Sequence, residues 1–339
     1  MRAGEAFGTG QLPGMRDGRT RRVHAGVGKY DPGVDVLLRA ENLTKQYGSV
    51  TALDHVTFEI GATVTGLLGA NGAGKSTAIK LFLGLTGPTS GRAEVLGREA
   101  GRDEQVRARL GYMPEHDCLP SAVSAAEFLT HMAETSGLPP RHARVRAADT
   151  LRHVGLFEER YRAIGGYSTG MKQRVKLAQT LVHDPVLVLL DEPTAGLDPP
   201  GREEMLALIR KTHREFGISL VMSSHLMGDV ERTCERILVL ENGRVVEEGE
   251  TSTFTEASET LYIEVTARRS ELIAALAERD VTATEEGSSL VVDGVSGEDY
   301  DRIRDALVAA DAPLRRLARR RRTLSELFQP GGADEGNAA

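Results

Sequence analysis

Thr63–Leu85, TVTGLLGANGAGKSTAIKLFLGL, decides the architecture: an apolar strand runs into a glycine-rich loop, and the loop opens into a segment of helical periodicity. Within it, Gly69-Ala-Asn-Gly-Ala-Gly-Lys-Ser76 fits the pattern G-x-x-x-x-G-K-[ST], in the strand-then-helix setting that the pattern requires. Gly69, Gly72 and Gly74 free the backbone to turn its N–H groups toward a phosphate chain. The positive end of the following helix favours the same negative charge. The segment Gly69 to Thr77, including Asn71 and Ala73, is therefore a candidate nucleotide cradle, with Lys75 reaching the β- and γ-phosphates and Ser76 ligating magnesium.

Further along, Val186–Glu192 (VLVLLDE) is an apolar run without alternation, as expected of a strand with helices on both faces of its sheet, and it ends in two carboxylates. At the strand's carboxyl end, Asp191 is placed to hold the magnesium or its water shell, and Glu192 to polarise an attacking water. Around these motifs the chain alternates in the manner of an α/β protein. Residues 36–60 resemble a pair of antiparallel strands, residues 120–165 carry helical spacing and read as a helical subdomain inserted between strands, and the alternation continues to about residue 250. Beyond it the order strand, helix, strand, strand, helix, strand predicts a small α+β unit of the ferredoxin-like type over 251–329. Residues 1–37 read as a disordered arm or a start-site artefact, and 330–339 as a disordered tail.

Composition bounds the rest. The chain has 339 residues, long enough for one large and one smaller core, and its apolar runs are too short to cross a bilayer, so it cannot itself form a helical channel. The first residues contain no apolar signal segment. Two cysteines, Cys118 and Cys234, make neither a disulfide scaffold nor a paired metal spacing, which fits a reducing cytosol, and the histidines show no coherent zinc pattern. A net charge of -7 argues against a DNA-coating role and no nucleic-acid partner is expected, although Pro313–Arg322 is locally basic.

Tyr167-Ser-Thr-Gly-Met-Lys-Gln-Arg174, just upstream of the VLVLLDE strand, resembles the signature segment of the ATP-binding cassette (ABC) family. With the two motifs above, the resemblance covers about residues 38–250 and looks like the subfamily that serves export-type permeases, whose ATPases commonly carry a C-terminal extension. It implies a P-loop NTPase cassette with an antiparallel β subdomain and an inserted helical subdomain. It also implies ATP and Mg2+ as ligands, a second ATPase subunit in a homodimer, and transmembrane permease subunits on separate chains, which would place the protein peripherally on the cytoplasmic face of the membrane. In such a dimer Ser168 and Gly170 contact the γ-phosphate bound by the opposite subunit. Tyr47 matches the aromatic that stacks on adenine, Glu115 falls where the family has the glutamine of its metal- and permease-sensing loop, Asp198 matches the segment that communicates between the two sites, and His225 matches the switch histidine that reaches the γ-phosphate.

The signature departs from the usual Leu-Ser-Gly-Gly-Gln at Tyr167, Thr169 and Met171. Thr169 requires a backbone conformation open to a β-branched residue. Taken alone, Ser168 is equally a helix N-cap, and the two readings are compatible. Two other functions compete with ATP-driven transport. A non-transport ABC-type ATPase acting on DNA ends or ribosomes is disfavoured, because no long heptads interrupt the cassette and only one phosphate loop occurs. A nucleotide-gated regulatory module is disfavoured by the presence of Lys75, Asp191, Glu192 and His225 together.

Overall fold

The computed structural model describes residues 36–254, 257–287, 289–293, 297–321 and 324. Most of the arm expected over 1–37 and all of the tail expected over 330–339 lie outside them. The described residues begin with the predicted hairpin, β1 (Val36–Tyr47) and β2 (Val50–Gly61), paired antiparallel. Along β2 buried Leu53, Val56, Phe58 and Ile60 face inward while their neighbours meet solvent, the pattern of a sheet covered on one face. Then follow β3 (Val64–Leu68), α1 (Lys75–Phe82), β4 (Ser90–Val95), β5 (Arg98–Glu99), the single turn α2 (Glu104–Arg107) and β6 (Leu110–Met113). Residues 90–99, which carry little apolar periodicity, complete the antiparallel sheet in the order β2-β1-β4-β5. Phe58 of β2 meets Phe82 of α1 edge to face at 5.8 Å, which docks this sheet on the helix that follows the glycine loop.

Helices α3 (Ala125–Thr135), α4 (Pro140–His153) and α5 (Thr169–Leu181) lie between β6 and β7 (Leu187–Leu190), so the insertion runs further than 120–165. Ser124 and Glu127 close a reciprocal capping box that fixes where α3 starts. After β7 come α6 (Pro199–Phe216), β8 (Ser219–Ser224), α7 (Met227–Thr233), β9 (Arg236–Glu241), β10 (Arg244–Glu250) and the short α8 (Thr251–Phe254). The main sheet runs β10-β9-β3-β8-β7-β6, parallel throughout except for β10. Its central strands β3, β7 and β8 are buried at every position, as expected when helices cover both faces. Because β3, β8 and β7 are adjacent and parallel, their carboxyl ends emerge side by side, where open α/β sheets bind ligands.

The remaining elements are β11 (Ala257–Val265), α9 (Arg269–Ala277), β12 (Ala283–Glu286), β13 (Ser289–Val292), α10 (Gly297–Ala309) and β14 (Leu314–Arg321). They form a sheet in the order β12-β13-β11-β14, each neighbour antiparallel, with its own core of Leu261, Ile263, Leu272, Leu276, Leu290 and Ile303. Arg315, Arg316 and Arg319 stand exposed on the edge strand β14, and Arg319 Nε donates to Tyr300 Oη at 2.8 Å; the side chains of Arg320 to Arg322 lie outside the described residues. Leu324 is fully buried within the core of the main sheet, so the chain returns to that core after β14. Among the described residues no helix is long and apolar enough to cross a membrane.

Two largely buried histidines tie the helical insertion to the α/β core, one to β6 and one to α6. His183 donates from Nε2 to the Leu110 carbonyl at 2.9 Å, and His153 pairs with Thr212 Oγ1 at 2.9 Å against the Phe216 ring. Burial, helped by Arg146 near the first and Lys211 near the second, pulls both below the usual imidazole range. The unfolded chain therefore takes up protons on them first as pH falls through about 6.5, and stability is lost over that window down to the lower folded values. His183→Gln keeps a donor for Leu110 without the titration. It is expected to shrink the drop in urea midpoint between about pH 7.5 and about pH 5.5.

Candidate functional site

Three consecutive strand ends build the site. From β3 comes the glycine loop, whose curvature depends on Gly72 and Gly74 at φ of +85° and +105°. A Cβ on Gly74 would stand 2.5 Å from the Ala52 carbonyl oxygen, so the loop can pass under β2 only with glycine there, whereas the space around Gly72 is open. Lys75 opens α1 and is buried; its Nζ donates to the carbonyls of Gly69 and Ala70 at 2.7 and 3.2 Å and lies 3.4 Å from Glu192 Oε1. Asn71 and Gly72 face solvent at the loop's crest, Ala73 is buried, and Ser76 and Thr77 follow in the first helical turn.

Asp191 and Glu192 leave the end of β7, both buried. Asp191 Oδ1 accepts from Ser76 Oγ at 3.0 Å and from Ser223 Oγ at 2.7 Å. Glu192 sits in the left-handed backbone region at φ +48°, a strained conformation for this residue, and its N–H donates to Ser223 Oγ at 2.9 Å. Its carboxylate is bracketed by Lys75 on one oxygen and by His225 Nδ1, 2.9 Å from the other. His225 follows the end of β8 with 43% of its side chain exposed, so the ring stands at the mouth of the site. Lys75, Ser76, Asp191, Glu192 and His225, singled out separately in the sequence, thus meet in one cluster.

Glu115, two residues after β6, has an exposed side chain; its carbonyl accepts from Lys176 Nζ of α5 at 2.8 Å. Tyr112 on β6 is pushed up to about 12 by burial and by the nearby Asp191 charge. The charge of Asp191 reaches Lys176 too. Tyr47 is 47% exposed at the end of β1, with Lys45 Nζ 4.9 Å over its ring centre.

Ser168, Gly170 and Asp198 lie away from this cluster. Ser168 caps α5 by accepting from Met171 N–H, and Asp198 caps α6 by accepting from Gly201 N–H at 3.1 Å. Thr169 occupies the first turn of α5, a conformation open to a β-branched residue, and Tyr167 in place of leucine buries its ring while its hydroxyl donates to the Glu159 carbonyl at 2.6 Å. Ser168 and Thr169 are exposed, leaving a capped helix end with free N–H groups turned outward.

Sequence reading passed over four buried polar groups here. Ser223 bridges the two carboxylate residues; Gln173 Nε2 ties α5 to the Ala195 carbonyl; Thr194 Oγ1 donates to the fully buried Asp229 at 2.8 Å; and Lys176 holds the Glu115 loop. Ser223 alone carries a signal in sequence, as a polar residue closing the apolar run of SLVMSS.

The donor set was tested against magnesium. Ser76 hydroxyl and the Asp191 carboxylate are hard oxygen ligands of the kind that Mg2+ takes, and the buried Glu192 Oε1 accepts no hydrogen bond, with the Lys75 ammonium 3.4 Å away. The residues fit.

The family described as ABC transporter matches residues 53–195. An uncharacterised ABC transporter ATP-binding protein, YxlF of Bacillus subtilis (strain 168), is 36% identical over 66% of this chain and 74% of its own length. The chain belongs to the ABC transporter ATP-binding family. The bacitracin transport ATP-binding protein BcrA of Bacillus licheniformis is 35% identical over 63% of this chain and 70% of its own. A dimeric ATP-binding cassette, MJ0796, solved in a post-hydrolysis state with ADP and Pi, superposes with a TM-score of 0.58 at 25% identity over 63% of this chain and 99% of that one. The α/β sheet with its glycine loop is thus an ABC cassette, and the protein is an ATPase of the transport family.

The two glycines of the loop separate strain from crowding. Gly74→Ala is expected to cost roughly 2–3 kcal/mol in chemical denaturation, because both φ and the Ala52 carbonyl oppose it, and Gly72→Ala about 1 kcal/mol from φ alone.

Proposed function

We propose that the chain hydrolyses Mg2+-ATP to move a separate transmembrane permease, working as a homodimer on the cytoplasmic face of the membrane, and that the transport is export of a small molecule, drug or lipid-like substrate. The observation that carries the catalytic half is the placement of Glu192 between Lys75 and His225, with Asp191 and Ser76 hydrogen-bonded beside it. Export rests on likeness to a bacitracin transport protein and to the export-type layout.

On binding, ATP supplies the phosphate charge around which the loop N–H groups and Lys75 converge, and its base stacks on Tyr47. Lys75 must then leave the Gly69 and Ala70 carbonyls and Glu192, trading those acceptors for phosphate oxygens. Ser76 and Asp191 hold Mg2+, assisted from the solvent side by Glu115. When bound, the metal neutralises charge on the β- and γ-phosphates. Released from Lys75, Glu192 orients and polarises the attacking water, and His225 keeps that carboxylate aimed while reaching the γ-phosphate. Ser168 Oγ and the Gly170 N–H offer the outward helix end to the partner's γ-phosphate, and Asp198 lines the same interface. The small sheet over 251–329 is read as a ferredoxin-like accessory unit adding dimer or regulatory contacts.

Phosphate release by wild type and by Glu192→Gln, each alone and with the permease encoded beside it, tests the proposal. A drop of roughly 10²–10⁴-fold in Glu192→Gln, with stimulation of wild type by the permease, is expected. A wild-type rate indifferent to every copurifying membrane protein would sink the transport half, and full turnover by Glu192→Gln would sink the catalytic half.

A further inference from the structure

Lys176 is a buried cation that the reaction described above does not use. It lies on the second turn of α5, two per cent exposed, and its Nζ donates to the Glu115 carbonyl at 2.8 Å. Taking an ammonium out of water is costly unless opposite charge and acceptors surround it. Here the surrounding charge is acidic: Glu115 and Asp117 from the loop after β6, and Asp191 from the end of β7, all act on Lys176. One turn earlier on the same helix face, Lys172 Nζ bonds Asp117 Oδ2 at 3.0 Å, and the other Asp117 oxygen takes the Leu119 N–H. Two lysines spaced i, i+4 therefore grip both ends of the segment Glu115–Asp117.

The helix that carries this grip is capped by Ser168 and carries Gly170 in its first turn, and Lys172 and Lys176 follow without a break. A rigid helix rises about 1.5 Å per residue, so the capped end lies about 12 Å from Lys176. The far end of the grip is the loop that carries Glu115. Resting on the reading proposed above, we infer that Lys176, with Lys172, is a positioning residue that fastens the Glu115 loop to the signature helix. The end that faces the partner's γ-phosphate and the carboxylate that faces the chain's own magnesium are then one mechanical piece, and a pull on one is felt at the other. Glu115 in place of glutamine belongs to the same device, since its carboxylate supplies part of the negative charge that keeps Lys176 buried.

The test uses the full chain in the Glu192→Gln background, with MANT-ATP fluorescence in EDTA for nucleotide affinity and Mn2+ titration by EPR for the metal. In the active background the ATP dependence of phosphate release is followed. Lys176→Met, similar in length but neutral, is expected to leave MANT-ATP affinity in EDTA unchanged, to weaken Mn2+ binding about tenfold, the scale of losing a charged hydrogen bond, and to bring the Hill coefficient for ATP toward one. Adding Glu115→Gln to it should cost less than the two single effects combined, because the groups act as a unit. Should Lys176→Met fail to fold, the more exposed pair serves: Lys172→Asp should show the same weakening, and Lys172→Asp with Asp117→Lys should restore it. Unchanged Mn2+ affinity and cooperativity, strictly additive effects, or a reversed pair that restores nothing would overturn the inference. Retained turnover in Glu192→Gln would instead indict the catalytic reading on which it rests.

Discussion

The site is organised around a cation placed where cations are disfavoured. Lys75 begins α1, at the positive end of the helix dipole and beneath loop N–H groups that also point positive charge inward, and it is buried. Two carbonyls and Glu192 hold it there. Every one of these partners is a substitute for phosphate, and the carboxylate among them is the group proposed to activate water. On the proposed reading the Lys75–Glu192 ion pair withholds the carboxylate from water, and ATP would both occupy the cradle and free that carboxylate.

That arrangement demands adjacency that only the sheet supplies. Positions 75, 191 and 225 are far apart in the chain and meet because β3, β8 and β7 are parallel neighbours whose carboxyl ends emerge together. Ser223 is where the demand is greatest. Its one hydroxyl receives the Glu192 N–H and donates to Asp191, locking a left-handed residue and its neighbouring carboxylate to β8. The strain at Glu192, of order 1–3 kcal/mol, persists because the surrounding hydrogen bonds over-determine it.

What the sequence disclosed and what it hid divide along the same line. The glycine loop, the strand-end carboxylates and His225 were legible because each sits at a boundary between an apolar run and a polar turn, and such boundaries are local. The hairpin of residues 36–61 and the strand and helix order after 257 were legible for the same reason. Residues 90–99 were not, since a strand pair exposed along most of its length has little apolar alternation to display. Nor were Ser223, Lys176, Thr194 and Asp229: a buried polar side chain is defined by its partner, and these partners lie 31 to 61 residues away. The signature segment was ambiguous in sequence between a helix cap and a ligand contact. In the fold Ser168 caps α5 while the helix end faces outward, a geometry compatible with both readings.

Long-range polar pairs of this kind have a consequence for how the cassette can move. The helical insertion is attached to the loops of the main sheet by Lys176 on the Glu115 carbonyl and Gln173 on the Ala195 carbonyl, and α4 is attached to the end of α5 by Arg146 on the Leu181 and Val182 carbonyls and Asp184. Apart from the Arg146–Asp184 ion pair, a side chain from a helix here holds main chain rather than another side chain. A side-chain pair can exchange partners by rotamer changes, but a held carbonyl carries its loop with it. On the proposed reading, motion of α5 would pass to the Glu115 loop and to the segment between Glu192 and Asp198, whose carbonyls its side chains hold. ATP bound by a partner subunit would act on this lever at its exposed end, and Asp191 and Glu192, anchored to β8 by Ser223, would provide the fixed point against which it turns.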